Sequence, residues 1–281
     1  MKRAAATRHT ALRAAFAVFA LALGMPAAAN AQEETQADGP PAARVSQSAA
    51  PSVLVLLAHP DDEILFAPAL ARIAREGGEV TLAFATSGDA DPGLSTLEPG
   101  RDLAQLREAE ARCAAFALAI DKPVFWQLGE GTLSAEASEP SSTARALVAN
   151  IASAITRVRP RVVMTWGPDG GSGDDDHRMV SAAATQVVQA LGADRPELIY
   201  LAARGTSPPA FPGFEDWAMV NPALITDRIG YEAIDLDAAR GALACYESRF
   251  DEVARAGLID ALETHLWRGL VHFRLAFPSP Y

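Results

Sequence analysis

From Val53 onward the chain alternates short, nearly unbroken apolar runs with longer amphipathic ones, and this rhythm restricts the fold more than any other feature. The apolar runs cover 53–58, 80–86, 124–128, 162–166 and 198–201. Between them the pattern predicts a helix ending near Glu76 at the Gly77-Gly78 stop, then helices over about 103–120, 143–158 and 178–191. A strand that is apolar on both faces needs cover on both, the situation of a parallel sheet whose crossovers are helices. Right-handed crossovers place helices above and below it, so the expected fold class is α/β, a three-layer sandwich with a mostly parallel central sheet. A further helix is expected over 236–250, and a closing run, Leu270 to Phe277, is expected to add an edge strand.

The first residues read as an address. Lys2, Arg3, Arg8 and Arg13 precede the apolar run 14–24, and Ala29-Asn30-Ala31 has the small-x-small form of a signal-peptidase site. A membrane span needs roughly 20 apolar residues, more than this run holds. The expected organisation is a signal peptide over 1–31, a flexible mature N-terminus over 32–50 and one folded domain over 51–281, with export to the periplasm or medium. Export makes Cys113 and Cys245 a candidate pair, although a buried free thiol suits the alanine-rich setting of Cys113 equally well. The net charge is −11, which argues against nucleic acid as a partner, because phosphate recognition rests on clustered Lys and Arg.

In parallel α/β sheets the working residues gather beyond the carboxyl ends of the strands. Two loops there carry chemistry. The first is Ala58-His59-Pro60-Asp61-Asp62-Glu63, directly after a strand and opening a helix. An imidazole and a carboxylate three positions apart can converge on one cation, leaving Asp61 to face a water; helix capping accounts for one of these acids but not for the cluster. The second loop runs from Gly167 to His177 and holds Asp169, Asp174, Asp175 and Asp176. Its aspartates alone would read as a solvated loop or a hard-cation site. A histidine in each loop shifts the choice to a borderline metal with three protein ligands and an open position, which is the pattern of catalytic zinc. A proline-rich stretch over 204–224 with Phe211, Phe214 and Trp217 reads either as a lid or as a packed loop.

Ala58 to Glu63 matches letter for letter the A-H-P-D-D-E signature of the LmbE-like (PIG-L) family of metal-dependent N-deacetylases, which the chain resembles from about Ser52 to Phe277. The family's G-x-G-H-P-D-H is met at Gly171, Gly173, Asp176 and His177, its R-x-x-E at Arg107 and Glu110, and its D-G-x-L by Glu130-Gly131-Thr132-Leu133. The resemblance implies a Rossmann-like sandwich in which His59, Asp62 and His177 hold one Zn2+ per chain and Asp61 is the general base. It also shows departures. Asp174 stands where the family has the histidine held to steady the oxyanion or protonate the amine, Asp175 replaces the proline, and Ser172 replaces an assisting tyrosine. In the region of the family's A-H-x-S-Q, Tyr246 stands in for the histidine.

The resemblance, with the leader, implies an exported, zinc-dependent hydrolase that removes an N-acetyl group from an amino sugar or a conjugate carrying one. Asp61 and Asp174 are the expected catalytic carboxylates, and Arg107, Asp176, Trp217 and Tyr246 the expected substrate contacts. Trp126 and Trp166 are expected in the core. Two rivals are a carbohydrate-binding protein that keeps the pocket without turnover, motivated by Asp174 and Ser172, and a hydrolase of another N-acyl amide.

Overall fold

The computed structural model describes residues 51–135, 139, 142–192, 194–208 and 214–278. The expected leader 1–31, the tail 32–50 and Phe211 lie outside the described residues. The elements in chain order are β1 (Ser52–Leu57), α1 (Ala67–Arg75), β2 (Glu79–Phe84), α2 (Arg101–Ala117), β3 (Val124–Phe125), α3 (Thr143–Val158), β4 (Val162–Thr165), α4 (Asp175–Ala190), β5 (Glu197–Leu201), β6 (Ala203–Arg204), β7 (Met219–Val220), β8 (Asp227–Gly230), α5 (Ala233–Ala244), α6 (Glu252–Leu262) and β9 (Leu270–Leu275). Seven strands form one sheet in the order β3-β2-β1-β4-β5-β9-β8. β1 to β5 pair in parallel, and β9 runs antiparallel to both of its neighbours.

The strand period of two divides the core. Val53, Val55 and Leu57 of β1 join one cluster with α1, α2, α5 and α6, whereas Leu54 and Leu56 join the other with Leu147 and Ile151 of α3 and Val180 and Val187 of α4. β1 is therefore covered on both sides, as its unbroken apolar run requires, and it lies at the middle of the sheet beside β4. The loops after β1 and β4 consequently open next to each other, although they are more than a hundred residues apart in sequence.

The carboxyl-terminal third differs from expectation. The helix expected over 236–250 is α5, which stops at Ala244, and a second helix, α6, follows the turn. The Leu270 to Phe277 run is not an edge strand: β9 lies between β5 and β8. The edge is β8, four half-buried residues reading DRIG, whose side chains give no apolar alternation to read. Helix α4 begins at Asp175 rather than at Arg178, because the Asp174 carboxylate accepts from the His177 N–H at 2.9 Å and two more acids occupy the first turn. In the proline-rich stretch Phe214 and Trp217 are packed inward, 5% and 9% exposed, so these two residues follow the packed-loop reading.

Cys113 and Cys245 form a disulfide that ties α2 to the end of α5 across a sequence separation of 132 residues. A closed loop of that length removes much entropy from the unfolded chain. The double variant Cys113→Ser/Cys245→Ser is expected to lower stability by about 2–5 kcal/mol. Denaturant unfolding of the oxidised protein against the variant checks this, and coincident midpoints would contradict it.

Candidate metal centre

β1 delivers the first loop and the loop itself shapes the ligands. Asp62 Oδ2 accepts from the Ala58 and His59 backbone N–H groups, both at 2.9 Å, and from Trp166 Nε1–H at 3.2 Å. With that oxygen saturated, Oδ1 turns toward His177 Nε2 at 3.0 Å and His59 Nδ1 at 3.9 Å. The turn is tight enough to put Asp61 at φ 103°, a conformation that costs a side-chain-bearing residue about 1–3 kcal/mol.

The second loop brings His177 in on the first turn of α4. Its Nδ1–H donates to the Gly170 carbonyl at 3.1 Å. Gly170 has φ +73°, and a Cβ there would lie 2.7 Å from the Asp174 carbonyl oxygen, so only glycine fits the approach. His59 Nε2 lies 3.3 Å from Asp176 Oδ2. With these outward N–H groups engaged, His59 Nδ1 and His177 Nε2 face each other at 3.2 Å with Asp62 Oδ1 beside them. One ligand atom from each of the three residues lies within 4.8 Å of the others.

Three acceptors aimed at one another repel unless positive charge sits between them. Burial by itself would lower the His59 pKa, but its bonds to Asp176 and Asp62 outweigh that and raise it well above the usual imidazole value. Burial also works against protonated His177, where the neighbouring Asp62 carboxylate wins and raises the pKa. Burial would raise Asp62, and the two imidazoles instead hold it well below the ordinary carboxylate range. Two imidazole nitrogens and one carboxylate oxygen so placed are a donor set that could hold a metal ion.

Asp176, expected to touch substrate, is 3% exposed, and its two oxygens accept from the Gly131 N–H at 2.6 Å and the Leu133 N–H at 3.2 Å. It stands behind His59 and orients the ring, as carboxylates behind metal-ligating histidines commonly do. This is also the place of the Glu130-Gly131-Thr132-Leu133 turn: its backbone anchors Asp176. Asp176→Asn is expected to weaken zinc binding about 10–100-fold, as read by competition with a chromogenic chelator. An unchanged affinity would contradict the orienting role.

Asp61 lies at the rim of the ligand set with its side chain 13% exposed. Oδ2 is held by Arg249 Nε at 3.0 Å and Arg107 Nη2 at 3.3 Å. The hydrogen bond and ion pairs of Asp61 to side chains among the described residues run through Oδ2. Asp174 sits at the mouth of the second loop, 41% exposed, with Oδ1 4.0 Å from His177 Nε2.

Three further residues expected to contact substrate are placed as follows. Arg107 is 2% exposed and spends Nη2 on the Pro60 carbonyl at 2.7 Å, so it braces the turn and Asp61 from behind. Tyr246 is fully buried and donates its hydroxyl to Glu63 Oε1. Trp217 is packed against Phe214 at 4.5 Å and Trp166 at 6.2 Å between ring centres rather than offered as a platform. All three are large side chains whose sequence neighbours do not disclose which way they turn.

The sequence also concealed a bracing network. Glu63 is wholly buried, and burial pushes its carboxyl up to about 8. Glu110 accepts from the Ser248 N–H at 2.7 Å and the Ser248 hydroxyl at 2.6 Å. Arg249, at the end of the stretch that resembles the family's A-H-x-S-Q, reaches Asp61 and also Asp91 Oδ2 at 2.6 Å. The segment after α5 is thereby fastened to both α2 and the first loop, by pairs that lie 138 to 188 residues apart.

Known proteins resemble this chain in sequence and in fold. A family model described as PIG-L: GlcNAc-PI de-N-acetylase matches residues 54–188, a span that includes both loops. A 1D-myo-inositol 2-acetamido-2-deoxy-alpha-D-glucopyranoside deacetylase of Streptomyces griseus is 30% identical over 261 residues, covering 78% of this chain and 80% of that protein. Of other relatives with the same name the chain spans about half the length. Among solved structures, a deacetylase of the teicoplanin biosynthesis pathway superposes with a TM-score of 0.57 at 18% identity, over 81% of this chain and 100% of that one. The 4-carboxy-2-hydroxymuconate hydratase GalB of Pseudomonas putida superposes with a TM-score of 0.56 at 18% identity, over 82% and 97%. At such identities the structural likeness speaks to the fold alone, and the fold carries more than one reaction, so function has to be argued from the site.

Proposed function

The chain belongs to the PIG-L family of metal-dependent N-deacetylases, and from that premise we propose that it is an exported, zinc-dependent enzyme removing the N-acetyl group of an N-acetylglucosamine-containing conjugate. The observation that carries the proposal is the convergence of His59 Nδ1, Asp62 Oδ1 and His177 Nε2 beside a rim carboxylate. The likeness to a deacetylase of an acetamido-glucopyranoside over 80% of that protein supports the substrate class. The composition of residues 1–31 supports export, as does the disulfide, since such bonds persist in oxidising compartments.

When bound, a divalent ion supplies Lewis acidity at this point, enough to polarise an amide carbonyl and to acidify water. The chain's own residues do the rest. Asp61, with Oδ2 clamped by two guanidinium groups, presents Oδ1 as the base that takes a proton from the attacking water. Asp174, at the other side of the mouth, is the second carboxyl placed to pass a proton to the departing amine. Addition of water across the C–N bond then yields acetate and the free amino sugar.

The test is zinc-dependent acetate release from a panel of N-acetylglucosamine conjugates, set beside longer acyl amides of the same sugars. Acetate release from the acetyl members, lost on chelation and restored by zinc, is the expected result. Preference for longer acyl chains would transfer the enzyme to other N-acyl amides. A second reading is a carbohydrate-binding protein without turnover, favoured by Asp174, an anion where a developing oxyanion needs a donor. Sugar binding with no release from any panel member would establish it.

A further inference from the structure

Trp166 follows β4 directly and is 1% exposed. This indole at the end of a central strand belongs to the core, as expected, and it also touches the ligand set. Its ring lies flat on the His177 imidazole, 4.0 Å between centres and 6° between planes. Its Nε1–H donates to Asp62 Oδ2 at 3.2 Å. One side chain therefore touches two of the three candidate metal ligands by two different means, a ring face and a hydrogen bond.

The surroundings fix that side chain in turn. The ring of Phe66 meets it edge-on at 79° and 5.9 Å. Gly171 in the second loop has φ +69°, and a Cβ there would come within 3.0 Å of indole Cζ3. The loop thus carries a glycine where a side chain would crowd the indole by a few tenths of an ångström. Strand end, first loop and second loop all close on this one residue.

We propose that Trp166 is the positioning residue of the metal centre: its indole N–H fixes which Asp62 oxygen faces the ion, and its ring face fixes the plane of His177. The proposal rests on the reading of His59, Asp62 and His177 as metal ligands. A phenylalanine in its place keeps an apolar ring in the core and against His177 but removes the N–H, so Asp62 loses one of three donors to Oδ2. Alanine removes both contacts. Because the indole touches two ligands, its emission responds to the ion.

The full chain, stripped by chelation, is titrated with Zn2+ against a competing dye, with tryptophan emission recorded, and separately with Co2+ for its visible absorption. The wild type is expected to bind one equivalent with a change in emission. Trp166→Phe is expected to weaken zinc about 10-fold and Trp166→Ala about 100-fold, the range found when outer partners of metal ligands are removed. Both should alter the Co2+ absorption envelope, and the emission change should vanish in both but survive in Trp217→Phe. Trp166→Phe that binds Zn2+ within twofold of wild type, with an unaltered Co2+ spectrum, would overturn the proposal. Should the alanine variant fail to fold by circular dichroism, the phenylalanine variant decides alone. If His177→Ala loses zinc while Trp166→Phe keeps it, only this proposal falls; if the wild type binds no zinc, the ligand assignment falls and takes the proposal with it.

Discussion

His177→Ala is expected to lose the metal ion and the deacetylase activity together. The imidazole supplies Nε2 3.0 Å from Asp62 Oδ1 and 3.2 Å from His59 Nδ1, and no other described side chain offers a nitrogen at that point. A two-ligand remnant of His59 and Asp62 lies on one short loop and cannot close a tetrahedral set. Lewis-acid assistance is worth several kcal/mol, and each step of roughly 1.4 kcal/mol is tenfold in rate. Turnover should therefore fall on the order of 10³-fold or more. Metal content by elemental analysis and acetate release measured on the same preparation check the coupling. Full metal content with normal activity would remove His177 from the ligand set.

Asp61→Asn separates the metal from the proton transfer. The substitution keeps the size of the side chain, and an amide oxygen in place of Oδ2 still accepts from Arg249 and Arg107. None of the three ligand atoms belongs to residue 61. Zinc content should stay at the wild-type level while kcat drops about 10²–10⁴-fold, the usual contribution of a positioned general base. KM should move much less than kcat, since the lost function is exercised in the transition state. An unchanged kcat would assign the base elsewhere, with Asp174 the next carboxylate to test.

The parallel half of the fold was legible because β1 to β5 obey one rule: strands covered on both faces are continuously apolar, and the helices between them show their own period. β8 escaped it, and the run that forms β9 was legible as a strand but not in its place. An edge strand of four half-buried residues has no pattern to read, so its existence, and with it the interior position of β9, was invisible in the sequence. The site shows the same division. His59, Asp61, Asp62 and His177 lie in two short segments whose spacing already speaks of a cation. Asp176, Arg107 and Tyr246 are legible as residues of the site, but the motif letters do not say that all three side chains are buried. The contacts of Arg249 with Asp61 and of Glu110 with Ser248 are not legible in the sequence, since pairing across 138 to 188 residues depends on how α5 ends. The disulfide could be named only as one of two alternatives until α2 and α5 were seen side by side.

The central claim is that one divalent ion is shared by the turn after β1 and the start of α4. A crystal of the zinc-loaded protein, recorded on both sides of the zinc absorption edge, tests it most directly. One anomalous peak per chain is expected, about 2.0–2.2 Å from His59 Nδ1, Asp62 Oδ1 and His177 Nε2. A peak held by other residues, or none between these three atoms in protein shown to carry zinc, would contradict the account.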